Sequence, residues 1–76
     1  MIKLAKFVSI WDNDYEIITN CKVDLSTKEV FNIEISKDVE NLEHLEKEFV
    51  IIDDEKHEVF NKDLYDVDTS INFWYN

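Results

Sequence analysis

The stretch Tyr15-Glu16-Ile17-Ile18-Thr19-Asn20-Cys21-Lys22-Val23-Asp24-Leu25 decides how this 76-residue chain is read. Tyr15, Ile17, Thr19, Cys21, Val23 and Leu25 share one parity; Glu16, Asn20, Lys22 and Asp24 share the other, with only Ile18 out of pattern. A period of two sustained this long is a half-buried strand, odd side to the core and even side to water. Cys21 therefore belongs to an apolar face, where a thiol behaves as a small hydrophobe.

Reading outward, Ile2, Leu4, Val8 and Ile10 share one face of an upstream strand, interrupted by Lys6, and Ala5, Phe7 and Trp11 the other. Both faces are partly apolar, which suits a strand covered on two sides or bent at its middle. Asp12-Asn13-Asp14 separates the two strands. Asn and Asp tolerate left-handed backbone angles, so a hairpin is expected there without glycine. Downstream, Ser26-Thr27-Lys28 is turn-like, and Phe31, Ile33 and Ile35 alternate with Asn32, Glu34 and Ser36. Three strands with short connections make an antiparallel meander.

After Ser36 the spacing changes. Val39, Leu42, Leu45 and Phe49 recur every three or four residues, and Ser36 or Asp38 can cap a helix of two to three turns. So short a helix is marginal alone and must dock on the sheet. Phe49-Val50-Ile51-Ile52 is a continuous apolar strand, Asp53-Asp54-Glu55-Lys56 a turn and His57-Glu58-Val59-Phe60 a returning strand. The tail ends in Ile71, Phe73, Trp74 and Tyr75, either a last strand closing the sheet or an apolar anchor for a partner. The expected fold is α+β: one domain over 1–76, with an antiparallel sheet of five or six strands that can curl into a small barrel, and one short helix after the third strand. Curling would conceal the sheet edges.

Composition excludes many functions. Hydrophobic residues are 45% of the chain, enough for a core despite eighteen acids against eight lysines and a formal charge of −10. One cysteine makes no internal disulfide and no CxxC metal site. No run of about 18 apolar residues is present to span a membrane, and Met1-Ile2-Lys3-Leu4-Ala5-Lys6 lacks a secretory leader's long apolar stretch. The expectation is a soluble, cytoplasmic, acidic domain. Glycine and proline are both absent. Phosphate-cradling loops and nucleophile elbows need glycine for close backbone approach, so nucleotide-binding and esterase-like readings fall away.

Three constellations have plain explanations beside functional ones. Asp12-x-Asp14-x-Glu16 begins like a calcium loop but lacks the central glycine and the distal Glu, which leaves a solvated turn. Glu40, His44 and Glu48 stand at helical spacing, and with His57 they offer a metal or acid–base set; exposed helix polarity explains them as well. Trp11, Phe73, Trp74 and Tyr75 would suit base stacking, but a chain this acidic repels phosphate. No catalytic residue, metal or cofactor is expected, and no direct nucleic-acid binding.

Charge asymmetry is the main functional signal. Residues 1–37 carry five lysines and six acids, a net of −1, whereas residues 38–76 carry three lysines and twelve acids, a net of −9. Carboxylates on a helix face stand about 5–6 Å apart, close enough to present an array of anions to a basic groove. Acidity also serves solubility alone. The expected partner-binding residues are Glu40, Glu43, Asp53, Asp54, Glu55, Glu58, Asp63, Asp66 and Asp68, with Trp74 as an apolar anchor.

In size, charge and its Asp/Glu-rich second half the chain resembles the small, acidic, glycine-poor proteins of phages and other mobile elements. The stretch Thr27-Lys28-Glu29-Val30-Phe31-Asn32-Ile33-Glu34 is similar to sequences of that origin. Anti-CRISPR and antirestriction proteins of this kind act as nucleic-acid mimics. The resemblance implies a non-enzymatic inhibitor that docks on a basic nucleic-acid-binding surface of a host defence nuclease. The rival expectation is an accessory structural subunit or homodimer whose acidity serves only solubility.

Overall fold

A computed structural model describes residues 1–61 and 72–74. Six strands follow in order: β1 (Ile2–Trp11), β2 (Tyr15–Asp24), β3 (Glu29–Phe31), β4 (Leu45–Ile52), β5 (Glu55–Asn61) and β6 (Asn72–Trp74). They close into a barrel in the order β1-β2-β3-β6-β5-β4, every pair antiparallel. β1 is the seam, since it pairs with β2 along its whole length and with β4 from Lys6 to Trp11. Closure leaves a small interior filled by side chains. Phe7, Cys21, Val23, Val30, Val50, Ile52, Val59 and Trp74 form the core, with Ala5 and Ile33 packed against it. Burial pushes the Cys21 thiol up to about 11, so it stays protonated and unreactive at neutral pH.

The fold is all-β, which corrects the α+β expectation. Where a helix of two to three turns was expected there is one 3-10 turn, Lys37–Asn41, followed by the first half of β4. Ser36 does cap, accepting the Asp38 N–H at 3.2 Å, but the bonds continue with 3-10 spacing, from Val39 N–H to Ser36 C=O at 3.2 Å. Two physical reasons explain the difference. An α-helix here would set Glu40, Glu43 and Glu46 as like-charged neighbours three residues apart. A register shift between Ile10 and Trp11 also lets β4 set Phe49 opposite Val8 and Leu45 opposite Trp11, so both apolar side chains find a cross-strand neighbour without a helix. The strand satisfies β1: Ile10 pairs with Lys47 and Trp11 with Leu45.

The third strand is also shorter than its alternation suggested. Left-handed backbone at Lys28 (φ 65°) and Asn32 (φ 50°) confines β3 to three residues. The chain then stays beside β2 through two bonds, from Glu34 N–H to Asn20 C=O at 2.9 Å and from Asn20 Nδ2–H to the Glu34 carboxylate at 3.2 Å. Seven described residues have positive φ, and four of them are Asp: Asp12, Asp14, Asp53 and Asp54. The Asp53-Asp54 pair (φ 50° and 67°) makes the two-residue turn between β4 and β5 that glycine ordinarily serves. Among the described residues no helix is long and apolar enough to cross a membrane.

Candidate functional site

The β1–β2 turn is a clamp. Asp12 (φ 37°), Asn13 (φ 61°) and Asp14 (φ 78°) reverse the chain, and the Asp12 carboxylate turns back onto the segment leading into β4. It accepts the His44 N–H at 2.8 Å and the Glu43 N–H at 3.2 Å, while Asp12 N–H donates to His44 C=O at 3.0 Å. Asn13 N–H donates to the Glu46 carboxylate at 3.0 Å. The His44 N–H, then the Glu43 N–H, holds the Asp12 carboxyl below its ordinary value. One end of the barrel thus joins Asp12, Asp14 and Glu16 from the first half of the chain to Glu43 and Glu46 from the second.

A cavity opens beside this clamp. Alternate residues of a strand share a face, and the registers Ser9↔Ile17 and Ser9↔Glu48 put these three side chains on the inner face. Phe7, Ser9, Trp11, Ile17 and Glu48 line a space of about 200 Å³, roofed by Ile33, Ile35 and Val39 from the β3–β4 connection. Trp11 Nε1–H donates to Ser9 Oγ at 2.9 Å, which fixes the indole at the rim. Glu48 shares its parity with the buried Val50 and Ile52. Burial pushes its carboxyl above the ordinary value, and among the described residues no hydrogen bond offsets that cost.

Among the described residues, the sequence-expected ones do not gather on one face. Glu40 lies exposed in the 3-10 turn, and Glu43 sits exposed at the clamp. Asp53, Asp54 and Glu55 lie at the opposite end of β1, where the Lys3 ammonium pairs with Asp53. Glu55 is 3.7 Å from His57 Nε2. Glu58 is exposed on β5, opposite Phe49. Asp63, Asp66 and Asp68 lie outside the described residues. Trp74 is 6% exposed and belongs to the core, its ring 6.5 Å from that of His57; the last-strand reading of the tail describes it, the anchor reading does not.

Sequence reasoning weighed Asp12, Asp14 and Glu16 only as a calcium-like turn and Glu48 only as part of a helical set, and placed none of them, nor Glu46, among the partner-binding residues. The first three lie in the nearly neutral half, and nothing local announces a contact 32 residues away. Glu48 had a signal: extending the Phe49–Ile52 strand backwards puts it on the side of Val50 and Ile52. His44 is exposed, its Nε2 4.0 Å from Glu43. Among the described residues no group of three or more His, Cys, Asp or Glu side chains is placed to hold a metal. No protein-family model, curated protein or solved structure matches the chain.

Proposed function

We propose that this chain is a non-enzymatic acidic inhibitor of the phage or mobile-element kind, acting in the cytoplasm. Its hairpin end docks on a basic protein surface, the nucleic-acid-binding groove of a host defence nuclease. The observation that carries this reading is the Asp12 clamp, which ties Glu43 and Glu46 to the turn that bears Asp14. Against these acids β4 sets one lysine, Lys47. At the other end of β1, by contrast, Lys3 and the N-terminal ammonium stand close to Asp53 and Asp24. Anions held on a fixed backbone attract a cationic groove over long range and speed encounter. The same charge repels nucleic acid.

The test is capture from the native host, comparing two neutralised variants. One carries Asp14→Asn, Glu16→Gln, Glu43→Gln and Glu46→Gln; the other carries Asp53→Asn, Asp54→Asn and Glu55→Gln. The reading expects a nucleic-acid-binding protein that the wild type retains, that DNA or RNA displaces, and that only the first variant loses. Equal retention by both variants would remove the hairpin end from the interface.

A second reading, an accessory subunit or homodimer, is favoured by a different observation. Ile2, Leu4 and Ile18 on the outer face of β1 and β2 are 61%, 76% and 55% exposed. Analytical ultracentrifugation decides it: a stable dimer in the wild type that Leu4→Glu dissociates would establish self-association.

A further inference from the structure

We propose that the cavity at the hairpin end receives one lysine side chain of the basic partner, with Glu48 as its counter-ion. This rests on the docking reading above and names what that surface takes in. Pockets for small groups combine apolar walls with a few placed polar atoms, and this one has that composition. Phe7, Trp11, Ile17 and Val39 supply apolar wall, and Glu48 lies on the inner face between them. At about 200 Å³ the space is small for a typical ligand pocket but suits one long aliphatic side chain.

The chemistry selects a cation with an aliphatic stem. An ammonium brings three donors, and the lining offers the Glu48 and Glu34 carboxylates with the Ser9, Thr19 and Ser36 hydroxyls as acceptors. Trp11, held at the rim by its bond to Ser9, presents a ring to the methylene stem and the charge. A guanidinium holds its five donors in a rigid planar fork that needs acceptors spaced to match it, whereas an ammonium on a flexible stem adapts to acceptors that come from different elements, as they do in this lining. Lysine fits better than arginine.

Location supports the same occupant. Trp11 directly precedes the clamping Asp12, Val39 directly precedes Glu40, and Glu34 itself lines the cavity, so acidic residues adjoin the lining. Those acids would gather the basic surface, and the cavity would fix its register by admitting one side chain. Glu48 ionises reluctantly inside the barrel wall, and an ammonium beside it supplies the partner it lacks among the described residues.

The test is an NMR titration of the isotope-labelled protein at about 0.15 M salt, near physiological ionic strength, with n-butylammonium chloride as probe. n-Butanol and n-propylguanidinium are the comparison probes, and Glu48→Gln the variant. The proposal expects butylammonium to shift the Trp11 indole N–H, the Ser9 amide and the Glu48 carboxyl together. It expects butylammonium to bind about tenfold more tightly than butanol, and Glu48→Gln to remove that advantage, as for one lost charge-assisted bond. Glu48→Gln relieves a buried charge, so it should fold; its amide spectrum checks this. Butanol binding as tightly as butylammonium, tighter guanidinium binding, or shifts confined to Asp14, Glu43 and Glu46 would each overturn the proposal. Partner capture reports separately: an intact complex with an empty cavity defeats only the lysine site. An occupied cavity with no basic protein retained defeats the docking reading.

Discussion

The carboxylate of Asp12 accepts the backbone N–H of His44 at 2.8 Å, joining the first hairpin to the entry of β4 across 32 residues. Because Glu43 N–H donates to the same group, two amides outside any strand are satisfied by one side chain. Asp12→Ala should therefore lose hydrogen-exchange protection at Glu43 and His44 first, with little change at Val23 or Val50. The pH dependence has a definite sign. The Asp12 carboxyl is held below its ordinary value of 3.8 in the fold, so its stabilisation is present above that value. It is lost as pH falls through the lowered folded value. An acid titration of wild type against Asp12→Ala should show the two converging only at strongly acidic pH.

Glu48 has the opposite sign. Its carboxyl is pushed up by burial, so the folded chain holds the proton more tightly than the unfolded one. Stability then falls as pH rises through the ordinary carboxylate range towards the folded value, and stays lower above it. Glu48→Gln should be more stable than wild type at pH 7, and the gain should vanish below about pH 4. Denaturant melts at the two pH values measure it; a variant less stable at pH 7 would mean that Glu48 has a stabilising partner in the fold.

The β4–β5 turn places Asp54 at φ 67°, where a side chain is unfavourable. Glycine is the preferred residue at this point of a two-residue hairpin. Asp54→Gly should raise stability by about 0.5–1 kcal/mol, because relief of the left-handed strain exceeds the added freedom of the unfolded chain. A thermal melt shows the change, and a fall in melting temperature would refute the strain argument.

Trp74 separates a core role from an anchoring one. It is buried between β3 and β5 within the core cluster. Trp74→Ala should cost about 3–5 kcal/mol, a large part of the roughly 5–15 kcal/mol that holds a small domain together. Circular dichroism melts report it directly. Undiminished stability with lost partner capture would restore the anchoring role.

Parity made β2 readable, because it repeats every two residues over a long run, and β1 followed as an apolar run set off from it by an Asp-Asn-Asp turn. Parity failed after Ser36 because Leu45 and Phe49 satisfy both a helical and a strand period. Only pairing with Ile10 and Trp11 resolves the two. That one misreading also hid Glu48, since on a helix it joins the solvent side and on β4 it faces Val50 and Ile52. The clamp was illegible for a different reason: Asp12 and His44 meet only because closing the barrel brings both ends of that register together. Acids counted along the chain pointed to residues 38–76, whereas the fold sets Glu43 and Glu46 at one end of the barrel with Asp12, Asp14 and Glu16, and Asp53, Asp54 and Glu55 at the other.

The most direct test is the salt dependence of affinity for the captured basic protein, measured for the wild type and for the Asp14→Asn, Glu16→Gln, Glu43→Gln, Glu46→Gln variant. The account predicts that wild-type affinity falls steeply between low and high ionic strength and that the variant binds weakly with a much shallower slope. A wild-type affinity that stays level across that range, or an unchanged slope in the variant, would contradict it.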